Sequence, residues 1–165
     1  MNTFYLDTET TGLHPATDEL VEIAVVDDAG NIVLDTLLRP AESTAWPDAQ
    51  RIHGISPDDV AMAPTREDVL PELLALVTGA RLVIYNADFD LGFLPEVATA
   101  ADQVSCCMLD FAEHIGDWND YRWHKLDSAA NYVGFHWPGS KHRAAADALA
   151  CRAVWQYLRR QDDQP

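Results

Sequence analysis

The stretch Thr3-Phe-Tyr-Leu-Asp-Thr-Glu-Thr-Thr-Gly-Leu13 places two carboxylates at the end of an apolar run. In a strand, successive side chains point to opposite faces, so Asp7 and Glu9 share one face and Thr8 takes the other. Two like charges aimed at one point repel unless they are protonated, solvated or neutralised by a cation. Hard oxygen ligands of this kind suit Mg²⁺ or Mn²⁺. An Asp-x-Glu pair also serves as an ordinary solvated strand end. Its meaning therefore depends on what later segments bring to the same place.

Outward from this strand, Thr10 to Pro15 reads as a turn punctuated by Gly12 and Pro15. Glu19–Asp27 and Ile32–Leu38 read as β-branched strands joined by the hairpin signal Asp28-Ala-Gly-Asn31. Both faces of the Glu19–Asp27 run are apolar, as in the middle of a sheet. Glu22 is the exception and is expected to be partly solvated. Residues 40–63 are proline-rich and predict a long connection with at most a helical turn near Asp48–Arg51. Within it, Ile52-His-Gly-Ile55 sets a histidine on a turn, a position that packing alone can explain.

Thr65–Val77 carries a helical apolar pattern in which Pro71 should kink or restart the helix, and Gly79 should close it. Arg81–Tyr85 is a short buried strand. Asn86–Leu94 then turns into a helix that Pro95 should end, with Asp88 at its N-terminus beside the strand end. Asn86 and Asp88 can act as helix caps or as site residues. A last strand at Val104–Cys106 precedes two helices, one with Met108, Phe111, Ala112 and Ile115 on one side and one with Leu126, Ala129, Ala130 and Val133. Between them, the stretch from Trp118 to Lys125 interleaves aromatics with bases. Such residues either stack on single-stranded bases or anchor a loop to its own domain.

The final helix is the most informative segment. From Asp147 towards Arg160, the residues on the face of Asp147 are Ala150, Cys151, Val154, Trp155 and Leu158, all apolar. A carboxylate at the head of an inward stripe needs a partner, which makes Asp147 a candidate metal ligand. His142 lies five residues earlier, about 140° away at 100° per residue, so the two diverge within one helix. His142 is therefore expected on the preceding loop, free to swing.

Composition bounds the function. With 48% hydrophobic and 23% charged residues, the 165-residue chain reads as one soluble globular domain over 1–165, able to bury roughly two thirds of its unfolded surface. It has no apolar run of about 18 residues and no leader pattern, so neither a membrane span nor a signal peptide is expected. Three cysteines, two of them adjacent, match neither a disulfide framework nor a zinc spacing, and a reducing cytoplasm follows as the expected compartment. The net charge is −16, from 27 acidic and 11 basic side chains. A surface this acidic excludes a broad counterion-release grip on long nucleic acid, so any such partner must be held locally.

Three motifs, Asp7-Thr-Glu-Thr-Thr-Gly-Leu13, Asn86-Ala-Asp-Phe-Asp90 and His142-x-Ala144-x-x-Asp147, together with the Ile52-His-Gly-Ile55 turn, resemble the DEDD exonucleases of the histidine subtype. That family comprises 3′→5′ nucleases that include bacterial proofreading subunits and ribonuclease T. Tyr85 departs from it, since many members have histidine before Asn86. The resemblance implies a ribonuclease H-like α/β fold: a mixed five-stranded sheet flanked by helices on both faces. It also implies two Mg²⁺ or Mn²⁺ ions, the first held by Asp7, Glu9 and Asp147 and the second bridged by Asp7, with Asp88 contributing directly or through water. His142 would be the general base, a role suited to an imidazole. Thr10 and His53 would contact the terminal nucleotide, with Leu13 or Phe89 wedged against its base. The expected activity is release of 5′-mononucleotides from DNA 3′ ends, preferably single-stranded, by a stand-alone enzyme. The alternatives are an exoribonuclease acting on RNA ends or short oligoribonucleotides and, in another class, a polymerase-associated binding subunit.

Overall fold

The computed structural model describes residues 1–116, 124–139 and 141–162. Its frame is a five-stranded sheet made of β1 (Thr3–Thr10), β2 (Leu20–Asp27), β3 (Ile32–Leu37), β4 (Arg81–Ile84) and β5 (Gln103–Cys106), in the order β3-β2-β1-β4-β5. β1 pairs antiparallel with β2 and parallel with β4; β2–β3 is antiparallel and β4–β5 parallel. The sheet is thus mixed, with β1 at its centre.

Strand alternation sorts the core into two layers. Leu6, Ile23, Val25, Leu82 and Ile84 face one side and pack against α3 (Arg66–Val77), α4 (Ala87–Phe93) and α5 (Pro95–Ala100). Tyr5, Val26, Val83 and Tyr85 face the other and pack against α6 (Cys107–Ile115), α7 (Leu126–Tyr132) and α8 (Ala144–Asp162). By the same parity Asp7, Glu9 and Glu22 lie on the α8 side, whereas Thr8 lies on the α3–α5 side. Burying this apolar stripe of α8 against β1 and β2 is what carries Asp147 to the end of β1.

The proline-rich connection is more structured than expected. It holds α1 (Pro47–His53) and α2 (Pro57–Val60), each with proline in its first turn, where the missing N–H costs nothing. Pro95 likewise starts α5 rather than only ending α4. α3 runs through Pro71 as one element, opened by a capping box between Thr65 and Asp68. Among the described residues no helix is long and apolar enough to cross a membrane.

Candidate active site

At the C-terminal end of β1, Asp7, Glu9 and Asp147 each offer a carboxylate oxygen, and these oxygens lie within 4.8 Å of one another. They line a cavity of about 520 Å³ whose lining also includes Lys125, Trp137, Lys141 and His142. Tyr85, in place of the family histidine, donates its hydroxyl to the carbonyl of His124 at 2.7 Å and so anchors the segment that carries Lys125. Lys141 is paired with Asp127 at 3.0 Å and lies over the Trp137 ring. Trp137 Nε1 is buried with no hydrogen-bond partner among the described residues. Of the interleaved aromatic stretch, Trp118 to Trp123 lie outside the described residues, while His124 and Lys125 line the cavity.

The fourth carboxylate is Asp90, and this corrects the expectation for Asp88. α4 buries Ala87, Asp90 and Phe93 as a stripe at helical spacing, and Asp88 falls on its exposed side, outside the cavity. Asp90 is only 4% exposed, lines the cavity and accepts a 2.7 Å hydrogen bond from Thr8 Oγ1. Thr8, on the opposite face from Asp7, thereby ties α4 to the strand end. The signal was present in the sequence. Asp90 shares the spacing of Ala87 and Phe93, whereas nearness to the strand favoured Asp88.

His142 sits on the loop before α8 with φ 58°, a left-handed conformation that non-glycine residues seldom adopt. Its backbone N–H donates to Asp147 Oδ1 at 3.2 Å, which links the loop to the cluster. The expected nucleotide contacts fare differently. Phe89 lines the cavity, tilted against Phe93. His53 is 6% exposed and engages both ring nitrogens internally: Nδ1 accepts from Ile55 N–H at 3.0 Å, so Nε2 carries the proton that it gives to Thr10 O at 3.1 Å. The Thr10 hydroxyl donates to Gly12 O at 2.6 Å. Neither side chain reaches the cavity, because each is spent on the turn that follows β1. In that turn a Cβ at Gly12 would meet the Asp18 carboxylate, which would have to shift. The turn presents Leu13, which is 74% exposed and outside the cavity lining.

Glu22 also departs from expectation. It is 2% exposed, not partly solvated, and is held by Arg143 and by the N–H of Ala144. Its partners lie more than a hundred positions away, so no local pattern announces them.

Crowding leaves an electrostatic signature. Burial first, then the neighbouring Asp90, Asp147 and Glu9, push the Asp7 carboxyl well above the usual range. Burial and then Asp147 raise Glu9 to about 8. Burial raises Asp90 to about 7 against the opposing Thr8 hydrogen bond, and Asp147 to about 6 against the opposing pull of His142. Four carboxylates that resist ionising together form a donor set with an unmet need for positive charge. All its ligand atoms are hard oxygens, so a divalent cation such as Mg²⁺ or Mn²⁺ fits.

A ribonuclease H-like sheet bearing converging carboxylates at the end of its central strand defines a class of nucleases. The comparisons sharpen that class. The RNase_T exonuclease family model matches residues 4–154, and the chain belongs to that family. An uncharacterized exonuclease of Escherichia phage 186 is 36% identical, over 87% of this chain and 80% of the phage protein. A PolC-type DNA polymerase III of Thermotoga maritima is 37% identical over 91% of this chain, which spans only 11% of the polymerase. Among solved structures, exonuclease X in complex with 5′ overhanging duplex DNA superposes with a TM-score of 0.77 at 28% identity, covering 99% of this chain and 94% of that one. The chain is thus an exonuclease-family enzyme with the expected fold.

Proposed function

We propose that this enzyme is a metal-dependent 3′→5′ exonuclease that releases 5′-mononucleotides from DNA ends, with single-stranded ends preferred. The observation that carries the reading is the cluster of Asp7, Glu9 and Asp147 within 4.8 Å, completed by the buried Asp90. Asp7, Glu9 and Asp147 would hold one divalent cation, and Asp90 would help Asp7 to hold a second. When bound, the cations supply Lewis-acid activation and neutralise the charge of the scissile phosphate. His142 takes the proton of the attacking water, and its place on a loop lets it approach when a strand end occupies the cavity.

The remaining residues position the substrate. Lys125 and Lys141, which line the same cavity, meet the phosphates of the strand end. Phe89 and Trp137, which line the cavity, offer stacking surfaces. Thr10 and His53 act through the turn that they hold, which presents Leu13 to the terminal base. A local grip also reconciles the reading with the net charge of −16, because only the last few nucleotides need be held.

DNA is favoured by the DNA-bound exonuclease X and by the polymerase relatives, whose names concern those proteins. Hydrolysis of matched single-stranded DNA and RNA with Mg²⁺, Mn²⁺ or chelator tests the assignment. Metal-dependent shortening of DNA ahead of RNA is expected. Faster RNA cleavage would make this an exoribonuclease, and cleavage in chelator would remove the metal from the mechanism.

A further inference from the structure

Glu22 faces Glu9 directly across the β1–β2 pair, so both side chains lie on the α8 side of the sheet. A buried carboxylate beside a carboxylate cluster adds unfavourable charge unless something fixes and neutralises it. Arg143 does so with a fork: Nε lies 3.0 and 3.1 Å from the two carboxylate oxygens, and Nη2 lies 2.5 Å from Oε1. The N–H of Ala144, the first residue of α8, donates to Oε2 at 2.9 Å. The carbonyl of Arg143 in turn accepts the N–H of Asp147 at 3.0 Å. One carboxylate on β2 thus holds the start of α8 by side chain and by backbone. The two residues that the proposed chemistry needs from this region, His142 and Asp147, flank the held segment.

We propose that Glu22 and Arg143 form a positioning clasp that sets Asp147 against Asp7 and Glu9. This rests on the metal-site reading above. A clasp that merely joined a helix to the sheet would leave cation affinity unchanged in any variant that still folds. A purely electrostatic role would move affinity in opposite directions when a negative or a positive charge is removed. Positioning lowers it in both cases.

The test is Mn²⁺ binding by calorimetry to the wild-type chain and to E22Q, R143Q, R143K and the E22Q/R143Q double variant, with thermal unfolding in chelator as the check on folding. R143Q leaves the buried Glu22 carboxylate unneutralised, so R143K, which keeps the charge, and the double variant, which removes both charges, carry the test where a single variant fails to fold. Both E22Q and R143Q are expected to lose about 10–100-fold in Mn²⁺ affinity, as for other residues that orient metal ligands. R143K, which keeps the charge but not the fork, should recover part of the loss. The double variant should be no weaker than the worse single one, because one clasp is broken only once. An R143Q protein that binds Mn²⁺ as tightly as wild type, or more tightly, overturns the clasp and leaves the metal site standing. Wild-type protein that binds no Mn²⁺ overturns both.

Discussion

Replacing Glu9 by glutamine should make the metal-free protein more stable, and the gain should depend on pH. In the folded chain Glu9 titrates at about 8, against an ordinary value of 4.5. Between these values the folded protein binds more protons than the unfolded one, so stability falls as pH rises through that window. At 1.36 kcal/mol per pKa unit the interval corresponds to at most about 5 kcal/mol above pH 8. Asp7, Asp90 and Asp147 share protons with Glu9, which reduces the effect of one substitution to about 2–3 kcal/mol. For a chain of this size that is a rise of about 5–10 °C in Tm. Thermal unfolding of wild type and E9Q in chelator at pH 5 and pH 8.5 measures it, and at pH 5 the difference should nearly vanish. Mn²⁺ should offset most of this gain at pH 8.5, because a cation at 100 times its Kd adds about 2.7 kcal/mol to the protein that binds it. An E9Q protein less stable than wild type at pH 8.5 in chelator, or a gain independent of pH, would refute the crowded-carboxylate account.

Two further outcomes follow from the placement of side chains. D90N should lower the exonuclease rate by at least about 100-fold, as expected for a ligand at a metal site, whereas D88N should stay near wild type; single-turnover hydrolysis of both separates the two aspartates. H142A should lose about 10²–10⁴-fold in rate, the span typical of a general base, while calorimetric Mn²⁺ affinity is little changed. A parallel loss of metal affinity would instead make the His142 loop part of the clasp alone.

Much of this architecture can be read from the chain itself. The alternation that puts Asp7 and Glu9 on one face and the apolar stripe that Asp147 heads both arise from local periodicity, and folding preserves them. Other features depend on contacts that periodicity does not encode. Glu22 looks like a misplaced charge until Arg143 arrives from 121 positions away. His53 suits a ligand-contacting turn equally well until both ring nitrogens are found engaged. Prolines 47, 57 and 95 read as breaks, yet each occupies a helix first turn, where proline starts a helix as readily as it ends one. Asp90 was legible in principle, because its spacing from Ala87 and Phe93 marks the inward side of α4.

The central claim is that the carboxylate cluster removes nucleotides one at a time from a 3′ end with the help of a divalent cation. Its most direct test is a time course on single-stranded DNA labelled at the 5′ end, with wild type and D7N, in Mn²⁺ and in chelator. A ladder shortening stepwise from the 3′ end, seen only for wild type with Mn²⁺ and accompanied by 5′-mononucleotides, is the predicted result. Immediate release of the 5′ label as a mononucleotide, or a D7N ladder that shortens as fast as that of wild type, would contradict it.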